Sequence, residues 1–190
     1  MRPLPAMLIL VLLLSSGCAH LEVKEHEIYP FRAIFDVTGT VGGEVINTSG
    51  AMLITSRSSA IAQIYGPGGL AMYTAEISEG TLVLKDTWAR VVHSSSVPVK
   101  DIVGVVAGDV PRGIYLRRTR AESHDLITYT WGKLLMDSLI RPRQVHVNTK
   151  PALEIHLTPA HPDLLLLIMR GSDTVLVSVA ITEGGRWRER

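Results

Sequence analysis

The sequence predicts a mainly β, antiparallel domain of the sandwich or barrel kind. Three observations predict it. Apolar segments of strand length recur along the chain at a spacing of roughly 8–12 residues. Between them stand turn residues such as Gly42-Gly43, Gly66-Pro67-Gly68-Gly69, Gly80, Gly132 and Gly171. No alternation of strands with long amphipathic helices is present, so a parallel sheet is not expected. The length of 190 residues suits a single domain.

The elements follow in order. Phe31, Ala33, Phe35 and Val37 alternate with Arg32, Ile34, Asp36 and Thr38, the period of a strand with one buried face. Gly42-Gly43 turns the chain into a second strand over 44–55, in which Gly50 reads as a bend or bulge. A third strand covers 59–65. The glycines and proline of 66–69 demand a loop. Strands at 70–77 and 81–86 follow, and 87–93 is expected to pair next. From Ser96 the rhythm changes. Ile102, Val105 and Val106 fit one face of a short helix of about three turns, with Ser96 as N-cap, Pro98 in its first turn and Gly108 and Pro111 closing it. Gly104 weakens that helix and suits a close backbone approach. Strands resume at 113–118, 126–131, 133–138, 144–149, 153–158, 163–169 and 174–181. The run Asp163–Met169 is apolar enough to face a cavity, an added helix or a partner. No internal repeat is evident, and 184–190 reads as a frayed tail.

The N-terminus has its own logic. Arg2 precedes a wholly apolar run from Ala6 to Leu14, about half the length that spans a bilayer. Ser15, Ser16 and Gly17 then lead to Cys18, the sole cysteine. A positive start, a short apolar run and small residues form an export signal over 1–17. It resembles a bacterial lipoprotein signal, which implies cleavage before Cys18 and acylation of that residue. Removing residues 1–17 of 190 leaves a mature chain of 173. Ala19 is not the aspartate that retains such proteins in the inner membrane, so the outer membrane is implied. Residues 18–30 form the lipidated cysteine and a polar tether, 31–183 the domain.

Composition excludes several functions. Lys+Arg total 19 and Asp+Glu 18, a net charge of +1, without the basic excess of a nucleic-acid surface. One cysteine permits neither an intrachain disulfide nor a cysteine zinc site. The mean hydropathy of +0.24 is high for a soluble protein, and much of it sits at the N-terminus. No nucleophile elbow, P-loop or H-E-x-x-H helix is found, so no catalytic residue, metal or cofactor is expected. His146 and His156 are either a metal pair across a hairpin or two solvent-face histidines. Tyr129 and Trp131 are either ligand-stacking groups or core. Arg117, Arg118 and Arg120 are either an anion site or a charged strand edge. Arg186-Trp187-Arg188 either dips into lipid headgroups or belongs to a disordered end.

Two landmarks carry a family resemblance. One is Ile64-Tyr65-Gly66-Pro67-Gly68-Gly69-Leu70-Ala71-Met72, followed by Gly80–Leu84. The other is Val97-Pro98, the short apolar helix and Gly108-Asp109-Val110-Pro111. Behind a lipobox and Phe35-Asp36-Val37-Thr38-Gly39, this order resembles the LolB-like and LolA-like lipoprotein-localisation family. The resemblance spans roughly Ala33 to Leu157. It implies an unclosed, strongly curved antiparallel β-barrel with one or two short helices over its mouth. It also implies an apolar cavity for the acyl chains of lipoproteins or lipids, a LolA-like periplasmic carrier as donor, and delivery to the outer membrane. The cavity residues expected are Phe35, Val37, Leu53, Ile64, Met72, Leu84, Ile102, Val106, Leu116, Tyr129 and Ile155. Pro67, Gly68, Gly69 and Leu70 form the membrane-contact loop. Gly68 stands where the family has a protruding apolar residue, with Leu70 close by. The alternative is a structural or assembly lipoprotein with a filled β core and a protein partner.

Overall fold

The computed structural model describes residues 28–121, 123–161 and 163–187; the signal, Cys18 and the tether up to residue 27 lie outside them. Alternation in the first strand, β1 (Phe31–Val41), translates directly into burial: Phe31, Ala33 and Phe35 are buried, and Arg32, Ile34 and Asp36 exposed. The strands that follow are β2 (Glu44–Ser56), β3 (Ser59–Tyr65), β4 (Ala71–Ser78), β5 (Thr81–Asp86) and β6 (Val91–Ser96). Then come β7 (Tyr115–Arg120), β8 (His124–Tyr129), β9 (Gly132–Asp137), β10 (Pro142–Val147), β11 (Leu153–Pro159), β12 (Leu164–Arg170) and β13 (Asp173–Glu183). All thirteen lie in one antiparallel sheet, ordered β6-β5-β4-β3-β2-β1-β13-β12-β11-β10-β9-β8-β7. The sheet does not close, because β6 and β7 are its two edges. A sheet this wide with no second layer buries one face by curling upon it. The expectation of an unclosed, curved antiparallel barrel therefore holds.

Register identifies the concave face. Phe35 pairs with Gly50 on one side and Val179 on the other, and Val179 with Leu164. Farther round the sheet, Leu157 pairs with Leu166, Val145 with Ile155, Leu134 with Val145, and Ile127 with Leu134. The core consists of these inward residues. Phe31, Leu134, Val145 and Val179 are 0% exposed. In β12 the apolar run serves both faces: Leu164 and Leu166 are buried inward, while Leu165 and Leu167 are half-buried outward.

One end of the barrel is sealed. The expected three-turn helix is instead a six-residue 3₁₀ helix, Ile102–Ala107, entered at Asp101 and closed by Gly108 in the left-handed conformation. Its shortness has a cause at Gly104, where an added Cβ would lie 2.7 Å from Tyr29 Oη and 2.9 Å from Arg57 Cα. The helix is pressed onto the β2–β3 turn too closely for a longer, rounder element. Ile28 seals the same end at 1% exposure. The expected frayed tail is corrected here as far as Trp187. That residue is 4% exposed, its indole N–H donates to the Val106 carbonyl at 2.7 Å, and Arg186 N donates to the Ala107 carbonyl.

Two further expectations are corrected. Gly50 makes neither a bend nor a bulge; it pairs in regular register, and the Phe35 ring fills the space its Cβ would take, 2.4 Å from Cζ. The strand expected over 87–93 starts only at Val91, because Asp86–Arg90 is a turn. One turn geometry recurs. Asp86-Thr87-Trp88-Ala89-Arg90 and Asp137-Ser138-Leu139-Ile140-Arg141 adopt the same turn. In each the aspartate accepts bonds from the backbone N–H two and four residues on and from the arginine Nε, and the fourth residue has positive φ.

Candidate functional site

Antiparallel connectivity puts alternate turns at opposite ends. The turns at 42–43, 66–70, 87–90, 130–131, 148–152 and 171–172, and the entry to β7, share the end opposite the 3₁₀ helix. Along the concave face, burial falls off toward this open end. In β1 it runs from Phe31 through Ala33 and Phe35 to half-buried Val37, and in β13 from Val179 through Val177 to half-buried Val175. Ile64, Leu153, Ile155 and Ile168 are likewise half-buried against the core. The result is a hollow that is solid at one end and shallow and apolar at the other.

The expected cavity residues divide by register. Phe35, Val37, Ile64, Leu84, Tyr129 and Ile155 share the concave face. Of these, Phe35 and Tyr129 are core rather than lining, at 6% and 7% exposure. Ile102 and Val106 sit on the 3₁₀ helix, half-buried at the sealed end. Three are placed elsewhere. Leu53 points to the convex face, opposite Arg32 and Ile61. Met72 is the extra residue of a bulge in β4, and Leu116 the extra residue of a bulge in the edge strand β7; both are exposed. An added residue inverts the alternation on which a facing assignment depends.

On β8–β13 the inward side chains from Ile127 to Val179 are buried core. A pocket of about 220 Å³ lies on the convex face, lined by Leu126, Lys133, Leu135, Gln144 and His146.

The loop at 66–70 is a tight, closed structure. Gly66 N donates to the Leu70 carbonyl at 2.9 Å and Gly69 N to the Gly66 carbonyl at 3.1 Å. Gly68 has φ +83°, and a Cβ there would meet nothing within 4 Å. Leu70 leaves the loop 74% exposed. The remaining candidates resolve as follows. Tyr129 and Trp131 stack on each other at 4.7 Å. His146 and His156 both face Glu154 on the convex side, at 3.3 and 3.5 Å. Among the described residues no group of three or more His, Cys, Asp or Glu is placed to hold a metal ion. Arg118 and Arg120 pair with Asp125 along the edge strand β7.

Sequence reasoning missed the rim. Among the described residues, eleven of the fifteen exposed large apolar side chains lie at the open end. Trp88 is one of them, at 75%. The paired Asp86 and Arg90 were the available signal, since an aspartate four residues before an arginine between two strands marks this turn.

With the architecture in hand, comparison is direct. Two solved structures are similar to the chain. A LolA superfamily protein from Nitrosomonas europaea is 12% identical, with a TM-score of 0.47 over 85% of this chain and 87% of that one. A DUF1329 family protein from Desulfovibrio piger is 9% identical, with a TM-score of 0.46 over 96% of this chain and 92% of that one. No protein-family model matches the sequence, and no curated protein does. Those likenesses are too low in identity and superposition to carry residue roles across. Among the described residues no helix is long and apolar enough to cross a membrane.

Proposed function

We propose that this is an outer-membrane lipoprotein, anchored through Cys18 and facing the periplasm, that shelters acyl chains of lipoproteins or lipids and helps deliver them to the outer membrane. Its donor is a periplasmic carrier of LolA-like kind, and the Pro67–Leu70 loop is its membrane contact. The observation that carries this reading is the concave face, whose apolar lining passes from buried to half-exposed toward one open end. Acyl chains leaving a bilayer need a surface that replaces it, at about 0.8 kcal/mol for each CH₂ kept from water. That task requires positions and no reacting group, so no catalysis is assigned.

Native mass spectrometry of the unlipidated chain, residue 18 onward with Cys18→Ala, after incubation with a diacylated lipopeptide tests the reading. A bound lipopeptide, displaced in Ile64→Asp and Ile155→Asp, is the expected result. No binding by the wild-type hollow overturns it. The closed core of β8–β13 favours a second reading, a tethered scaffold whose partner is a protein, and that reading predicts no acyl adduct at all.

A further inference from the structure

Three neighbouring hairpins of the β1–β6 wing end at the open rim, and the most exposed large apolar side chain on each stands well into solvent. Val45 follows the β1–β2 turn at 84% exposure, Leu70 follows the β3–β4 loop at 74%, and Trp88 tips the β5–β6 turn at 75%. Burial inside the fold explains none of them. Trp88 is presented by a rigid device: Asp86 accepts from Trp88 N, Arg90 N and Arg90 Nε at 2.8–2.9 Å, and the Arg90 guanidinium lies 4.9 Å from the indole.

We infer that Val45, Leu70 and Trp88 form a three-point footprint that seats the open end of the barrel on a lipid bilayer. The inference rests on the lipid-handling reading above and extends it from one loop to the whole rim of the wing. Apolar side chains projecting from three separate hairpin tips suit a bilayer, which accommodates each without a matching pocket. Tryptophan beside a cation suits the headgroup boundary, with the ring among the upper chains and the guanidinium at the phosphates. Seated so, the hollow opens directly onto the chains it exchanges.

The test uses the chain from residue 18 onward with Cys18→Ala, which keeps every described residue, and phosphatidylethanolamine–phosphatidylglycerol vesicles carrying brominated chains. The expected result is co-flotation with a blue-shifted, bromine-quenched tryptophan emission. Trp88→Ala should reduce the quenching to what half-buried Trp131 contributes, since Trp187 is buried, and weaken partition about tenfold. Val45→Asp, which leaves all tryptophans in place, should weaken partition and reduce quenching. Unchanged flotation in both variants overturns the footprint. Lipopeptide binding without vesicles is measured on the same proteins. Normal lipopeptide binding with no vesicle binding sinks the footprint alone, while vesicle binding with no lipopeptide binding sinks the carrier reading and spares the footprint.

Discussion

Asp109 is the clearest case of one residue holding several elements. It is 5% exposed, accepts the Tyr29 hydroxyl at 2.9 Å, accepts Val110 N at 2.8 Å and lies 3.5 Å from the Arg57 guanidinium. It thereby ties the lead-in to β1, the β2–β3 turn and the exit of the 3₁₀ helix. Asp109→Ala removes all three contacts at once, and we expect a loss of about 2–3 kcal/mol in chemical denaturation. Tyr29→Phe, which removes only one donor, should cost about 1 kcal/mol. Asp137 makes a different prediction. Burial alone would raise its carboxyl, but hydrogen bonds from Arg141 N and Nε, with the charges of Arg141 and Arg143, hold it below the usual carboxylate range. A lowered folded-state value stabilises the fold above the unfolded value near 4, and that contribution is lost as pH falls through the folded one. Asp137→Asn should therefore lower stability at neutral pH and shallow its decline on acidification, as followed by thermal melts across pH 2–7. Glycine contributes through the space it leaves. Gly50→Ala puts a methyl 2.2 Å from the Gln63 carbonyl and against the Phe35 ring, and should cost about 1–3 kcal/mol. Gly104 was legible in the sequence as a close-approach site; Gly50, inside a regular pair, was not, because its neighbour Phe35 was known only by number.

At the scale of elements, the strands were legible because one face of each is buried and the other wet, and that contrast survives in the residue order. What failed did so where alternation is interrupted. The bulges at Met72 and Leu116 shifted two side chains out of their expected places, and no local composition announces an extra residue. β6 was placed too early because Thr87 and Trp88 have strand propensity, yet Asp86 captures the Trp88 and Ala89 backbone N–H groups in a turn. The 3₁₀ helix shows the converse: its apolar face was readable, while its length was set by Tyr29 and Arg57, both distant in sequence. Trp187 is the element-scale test. Its indole is the peg under the 3₁₀ helix, so Trp187→Ala should cost about 3 kcal/mol and speed hydrogen exchange of the amides at 102–109 more than those of β9 and β10. Equal acceleration everywhere would mean that the peg belongs to the global core.

At the scale of the molecule, the architecture was readable and the hollow only in part. Strand count and turn spacing led to a curved sheet, but how far its interior fills depends on pairing all round the sheet, which no local window contains. The two chain ends give the last point. β1 and β13 are antiparallel neighbours, and Gly185 N bonds to the Ile28 carbonyl where both leave the sealed pole. Tension applied between residue 28 and residue 187 would open that seam like a zipper, breaking one backbone bond after another instead of loading the whole ladder in shear. The fold resists pulling poorly along this line, so a load hung on its C-terminal side would be transmitted to the N-terminal side only weakly before the barrel came apart.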